Sequence, residues 1–131
     1  MNIGEAARLS GLSAKMIRHY EQIALLTPAA RTAAGYRQYT ASDIEVLKFI
    51  RQARVLGFSM AQIHDLLRLW QDPSRSSRAV KLLAQQHLAD VEHKMAELAA
   101  MQATLKHMIH ACSGDENSHC AILEQLSQKT S

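Results

Sequence analysis

Four short helices are predicted from the spacing of apolar residues in the first half of the chain. The apolar positions recur at intervals of three and four residues, which is the period of a helix with one buried face. The predicted helices cover residues 3–9, 14–24, 41–56 and 60–71, with approximate ends. Each follows a polar residue that can cap its first turn, namely Asn2, Ser13, Thr40 and Ser59. A short turn containing Gly11 joins the first two helices, so they predict a helix-turn-helix.

A hairpin, or wing, is predicted between the second and third helices, over residues 27–40. Pro28 ends the helical pattern and Gly35 marks a turn. The arms of this hairpin would carry Arg31 and Arg37. Arginine beside tyrosine at a loop tip favours phosphate binding, because both side chains donate hydrogen bonds to anionic oxygens. The alternative is a surface loop with solvated charges.

A long helix is predicted from near Ser77, after a linker at 71–77. The positions that would face a partner helix, which we call the seam, recur at alternating intervals of four and three residues for four heptads. They are Ala84, Leu88, Val91, Met95, Leu98, Gln102, Leu105, Ile109 and Cys112. A helix of about 34 residues spans roughly 50 Å, and a small domain cannot cover that whole stripe. The pattern therefore predicts pairing with a second copy, and the alternative is a helix folded back on its own domain.

Charge is distributed unevenly along the chain. Residues 1–75 hold ten of the 15 Lys and Arg against six of the 12 Asp and Glu, whereas residues 76–131 hold five against six. The basic front half indicates an anionic partner. No apolar run approaches the roughly 20 residues of a membrane span, and the start lacks the features of a signal peptide. We therefore expect a cytoplasmic protein without membrane partners, in a compartment that keeps thiols reduced.

Catalysis is not indicated, since the sequence holds neither a nucleophile–base–acid set nor a glycine-rich phosphate loop. The segments "MNIGEAARLSGLSAKMIRHYE", "GYRQYT" and "IRQARVLGFS", followed by the long helix, instead resemble the MerR family of transcriptional regulators. The stretch "ACSGDENSHC" is similar to the loop of the copper, silver and gold sensors of its CueR branch. Ser113 and Ala121 stand where the related loops usually carry proline.

The resemblance implies a mainly α fold with three parts: a winged helix-turn-helix DNA-binding domain at 1–72, a linker and dimerisation helix at 73–111, and a metal-binding loop and tail at 112–131. It implies that helix 14–24 enters the major groove. The DNA-binding residues that it implies are Lys15, Arg18, Tyr20, Arg31, Tyr36, Arg37 and Arg54. It also implies a homodimer that shares a promoter with RNA polymerase and, when metal binds, bends and untwists the DNA.

The two cysteines, Cys112 and Cys120, are separated by seven residues and predict a metal site. A soft monovalent ion prefers sulfur ligands, and two thiolates can hold it linearly. We therefore expect Cu(I), Ag(I) or Au(I), with one ion per cysteine pair. Two alternatives remain open: a zinc site completed by a histidine such as His119, and a redox sensor that forms a disulfide.

Two residues at the start of the long helix bear on ion selectivity. Two thiolates and a monovalent ion leave a charge of −1, which a positive group must offset. Lys81 lies where the helix dipole is positive, and an antiparallel partner would bring it beside the other copy's loop. Ser77 stands where the resemblance implies a cysteine in regulators of divalent ions, so serine at this position favours a monovalent ion.

Overall fold

The computed structural model describes residues 1–128 and is mainly α-helical. In chain order its elements are α1 (Ile3–Ser10), α2 (Ala14–Gln22), β1 (Ala30–Arg31), β2 (Arg37–Gln38), α3 (Ala41–Val55), α4 (Met60–Trp70), α5 (Ser77–Ala111) and α6 (Ala121–Ser127). The helix-turn-helix, the hairpin and the long helix are confirmed. The last three residues of the predicted tail, 129–131, lie outside the described residues.

The chain forms two compact units. The front unit is Met1–Ala84, and the rear unit begins at Gln85. The first turns of α5 therefore belong to the front unit. No helix among residues 1–128 is both long and apolar enough to cross a membrane.

The predicted caps hold the four short helices of the front unit. The side chains of Asn2, Ser13, Thr40 and Ser59 each accept a hydrogen bond from the backbone N–H three residues later. α3 and α4 also have complete capping boxes, in which the backbone N–H of the cap residue donates to the side chain of Asp43 or of Gln62. The core of the front unit contains large side chains that have almost no solvent-accessible surface: Tyr20, Ile17, Leu26, Leu47, Ile50 and Ile63.

The second helix ends at Gln22 rather than near residue 24, because Ala24 adopts a left-handed conformation with φ of 62°. This turn lets the backbone N–H groups of Leu25 and Leu26 both donate to the Tyr20 carbonyl, at 2.9 and 3.2 Å. Glycine is the residue that usually ends a helix in this way, since a Cβ makes the left-handed region unfavourable.

We expect Ala24→Gly to raise the free energy of unfolding by about 1 kcal/mol, because it removes the cost of a left-handed alanine. Urea denaturation measures the change. The matched control is Ala100→Gly, at an exposed site inside α5, which should lower stability by about 1 kcal/mol. A loss of stability in both variants would contradict the strain assigned to Ala24.

The long helix α5 runs unbroken for 35 residues. The Ser76 hydroxyl caps its start by accepting the N–H of Ala79 at 3.2 Å. Apolar residues of the predicted seam remain open in the single chain, with exposed fractions of 55–64% at Leu88, Met95, Leu98, Leu105 and Ile109.

Candidate nucleic-acid interface and thiol pair

Four of the predicted DNA-binding residues line one small cavity in the front unit. Arg18 of α2 meets Arg31, Tyr36 and Arg37 of the hairpin around a volume of about 180 Å³. The start of α1 completes the lining with Asn2 and Ile3. Three guanidinium groups beside a helix N-terminus suit a phosphate group. We call this the arginine cavity.

The hairpin places two arginines directly opposite each other. β1 and β2 are antiparallel, with Arg31 paired to Arg37. At the tip, Arg31 Nη1 donates to the Gly35 carbonyl at 3.0 Å, while Tyr36 is 73% exposed. Like charges facing each other across a hairpin are destabilising by themselves, and an anion bound between them would relieve that repulsion.

A buried carboxylate fastens the hairpin to α2. The side chain of Glu21 in α2 is only 8% exposed. Its two oxygens accept hydrogen bonds from Arg37 Nε at 3.2 Å and from the Tyr39 hydroxyl at 2.6 Å. Burial, together with the bond to Glu21, raises the pKa of Tyr39 well above its ordinary value, so the phenol stays protonated. Glu21 and Tyr39 therefore set the orientation of Arg37.

The expectation that Tyr20 contacts DNA needs correction. Tyr20 has no accessible surface, because its ring lies in the core of the front unit. Its hydroxyl instead accepts a hydrogen bond from Arg54 Nη1 at 2.7 Å. Arg54 and Lys15 are exposed at the surface. Tyr20 thus supports Arg54 from beneath and is not itself available to a phosphate.

The two cysteines meet in the rear unit. Both are free, and their Sγ atoms lie 3.5 Å apart. Cys112 directly follows α5 and its N–H donates to the Met108 carbonyl at 3.1 Å. Cys120 precedes α6, where the backbone N–H of Leu123 and then the Cys112 thiol hold the pKa of Cys120 below its ordinary value. That shift favours the thiolate, which is the form that binds metal.

The loop between the cysteines is shaped by its own polar residues. Asp115 accepts hydrogen bonds from the backbone and side-chain nitrogens of Asn117, at 2.9 and 3.2 Å. His119 Nδ1 lies 3.2 Å from Glu124 rather than completing a site with the thiols. Across residues 1–128, no three His, Cys, Asp or Glu side chains gather in a metal-binding group. The described loop therefore offers two sulfur ligands.

The helix α6 was missed by the sequence interpretation, which treated everything after Cys112 as loop and tail. Its apolar residues Ile122, Leu123 and Leu126 follow a helical spacing that could have indicated it. The two residues predicted to set ion selectivity, Ser77 and Lys81, lie together in the front unit, on a cavity of about 690 Å³ at the start of α5. Arg78 adds a second positive charge there.

Comparisons with known families settle the class of protein. Residues 1–70 match the family described as "MerR HTH family regulatory protein", and residues 44–108 match "MerR, DNA binding". The chain belongs to the MerR family. MerR-family proteins are DNA-binding transcription regulators and not enzymes, so the expected class is confirmed.

Three relatives illustrate the similarity. "Heavy metal-dependent transcription regulator 1" of Rhizobium meliloti is 52% identical over 127 residues, covering 96% of this chain and 86% of the relative. The HTH-type transcriptional regulator CueR of Escherichia coli O6:H1 is 39% identical over 127 residues, covering 97% and 94%. The crystal structure of PbrR691 from Ralstonia metallidurans CH34 in complex with lead(II) has a TM-score of 0.84 at 31% identity, covering 97% and 99%.

Proposed function

We propose that this MerR-family regulator is a metal-responsive activator. It binds promoter DNA as a dimer and distorts that DNA when Cu(I), Ag(I) or Au(I) binds the thiol pair, and it thereby controls genes for metal efflux or resistance. The observation that carries the proposal is the pair of free thiols, 3.5 Å apart, at the end of the long helix.

Two thiols without a third ligand suit a soft monovalent ion. A metal–sulfur bond is about 2.3 Å in zinc sites, so an ion held linearly between two sulfurs with similar bonds needs them roughly 4.6 Å apart. Cys112 and Cys120 would have to separate by only about 1 Å from their 3.5 Å spacing. The loop is thus close to the geometry of a two-coordinate site. Zinc generally requires four ligands, and the described loop brings together two.

Metal response also agrees with the relatives. A protein that is 52% identical to this chain is named as heavy-metal-dependent, and CueR matches over nearly the whole length. PbrR691 was crystallised with lead(II), a divalent ion, and is less similar at 31% identity. These comparisons support a metal-sensing regulator, and the choice of a monovalent ion is our proposal from the thiol pair and from Ser77.

A dimer would bring the start of one α5 beside the loop of the other copy. Ser77 begins α5 and Cys112 follows its last residue, so they stand at opposite ends of one helix. Antiparallel pairing through the exposed seam would place Lys81 and Arg78 of one copy near the thiolates of the other. Their positive charge would offset the −1 of two thiolates with a monovalent ion, whereas a divalent ion leaves no net charge to offset.

DNA recognition would place α2 in the major groove, with Lys15 and Arg18 toward the duplex. The arginine cavity would hold a backbone phosphate, and Arg54 would contact another. Phosphate contacts fix the protein on the duplex, so a movement transmitted from the loop could bend and untwist the promoter that RNA polymerase shares.

A redox sensor is the second candidate, and the same 3.5 Å spacing supports it. A disulfide needs the sulfurs about 2.05 Å apart, so Cys112 and Cys120 would have to approach by about 1.5 Å. Oxidation would remove two electrons and two protons from the pair and pass them to an oxidant such as a peroxide.

A titration of the reduced dimer with Cu(I) under nitrogen separates the candidates. We expect one Cu(I) per cysteine pair, with both thiols protected from a thiol reagent and recovered when a Cu(I) chelator is added without reductant. Zn²⁺ should bind far more weakly in a competition assay. Thiols that return only after addition of a reductant, or tighter binding of Zn²⁺ than of Cu(I), would overturn the proposed ion choice.

A further inference from the structure

A second basic cavity lies in the front unit, where the end of α1 faces α3. Its volume is about 410 Å³, and Arg8, Lys48 and Arg51 line it together with Ser10 and Gly11. None of these three cations is among the DNA-binding residues that the resemblance implies. We call it the Arg8 cavity.

The three cations have no carboxylate partner within residues 1–128. The ion pairs of the front unit in that range are Arg37–Glu21 and Arg68–Asp65. Arg8, Lys48 and Arg51 are all exposed. Three positive charges that converge on one concave surface without a counterion raise the local potential, and they favour an anion there.

Arg51 is held against the turn of the helix-turn-helix. A Cβ at Gly11 would lie 3.0 Å from Arg51 Nε, and Gly11 has a φ of 77°. The absence of a side chain at Gly11 therefore lets the guanidinium lie close to the backbone that leads into α2. The cation is thus placed beside the start of the recognition helix.

The two basic cavities lie at opposite ends of α1. Asn2 and Ile3 at its start line the arginine cavity, while Arg8 and Ser10 at its end line the Arg8 cavity. α1 has eight residues, and a helix of eight residues is about 12 Å long. The major groove of B-DNA is also about 12 Å wide and has a phosphate backbone on each side.

We propose that the Arg8 cavity binds a DNA backbone phosphate, on the strand across the major groove from the strand held by the arginine cavity. α1 then spans the groove above α2, and each of its ends is fixed to one strand. The inference rests on the DNA-binding mode proposed above. Its consequence is that each DNA-binding domain contacts both strands. A regulator that twists its promoter requires contacts of this kind.

The test is the double variant Arg8→Gln with Lys48→Gln, measured by fluorescence anisotropy on a 30-base-pair duplex of random sequence between about 50 and 200 mM salt. Each phosphate contact contributes about 0.9 to the slope of log affinity against log salt. We expect the slope to flatten by about one unit per bound protomer. Arg37→Ala, in the arginine cavity, should flatten it similarly.

Two controls keep the result specific. Arg68→Gln with Arg75→Gln removes the same charge from other exposed sites of the front unit, and should leave the slope unchanged. Arg8→Lys with Lys48→Arg keeps both charges and should retain wild-type binding. Far-ultraviolet circular dichroism and thermal unfolding show whether each variant is folded.

Phosphate ethylation interference, on a duplex selected by the wild-type protein, locates the contacts. We expect the Arg8/Lys48 variant to lose interference on one strand and Arg37→Ala to lose it on the other, across the major groove. An unchanged slope in the Arg8/Lys48 variant overturns the inference. If this variant also reduced transcription while its slope stayed unchanged, the cavity would bind an acidic protein surface instead of DNA. If the wild-type protein bound no duplex, the proposed function itself would fail.

Discussion

Serine in place of Cys112 or of Cys120 is expected to abolish activation by Cu(I) and Au(I), while DNA binding survives. A linear site needs two thiolates, and a hydroxyl is a poor ligand for a soft ion. The sulfurs lie 3.5 Å apart, so either substitution leaves one sulfur without its partner. Promoter-reporter induction should fall to the uninduced level in both variants, and duplex affinity measured by anisotropy should stay at the wild-type value.

Ser113→Ala and Ser118→Ala provide matched controls, because they change hydroxyls in the same loop without touching a thiol. Both should respond to Cu(I) like the wild type. Retained induction in either cysteine variant would show that one thiolate suffices and would defeat the two-sulfur site. Loss of DNA affinity would instead mean that the cysteines support the fold.

Local signals in the sequence predicted most of the architecture. Caps such as Thr40, the turn at Gly35 and the heptad steps of α5 depend on residues near one another in the chain, so their spacing is informative. The mode of packing depends on distant residues and was harder to predict. Glu21 illustrates the difference, since its partners Arg37 and Tyr39 lie 16 and 18 residues away on the hairpin.

The errors at the candidate site have the same origin. Tyr20 lies next to surface residues of α2, yet helix rotation turns it fully into the core. The left-handed Ala24 occupies a position where sequence statistics favour glycine, so the early end of α2 was not predicted. The seven-residue spacing of the cysteines allows many loop shapes, and the sequence alone could not give the distance between their sulfurs.

Aspartate in place of both Leu98 and Leu105 is expected to separate the dimer. Each leucine lies on the heptad seam of α5 and is more than half exposed in the single chain, at 62% and 55%. We therefore propose that both side chains pack against the α5 of a second copy. Burying unpaired carboxylates there costs several kcal/mol, and about 4 kcal/mol raises the dissociation constant roughly a thousandfold. Sedimentation velocity at micromolar concentration should then show monomers.

The control pair is Ala100→Asp with His107→Asp, which has the same separation in the sequence and falls opposite the seam on exposed positions of α5. It adds the same negative charges to the same helix, so any change in helix propensity or net charge is closely matched. This pair should remain dimeric and bind DNA. Monomers in both pairs would mean that charge on α5, and not its apolar seam, decides assembly, and a monomeric wild-type protein would contradict dimerisation through α5 altogether.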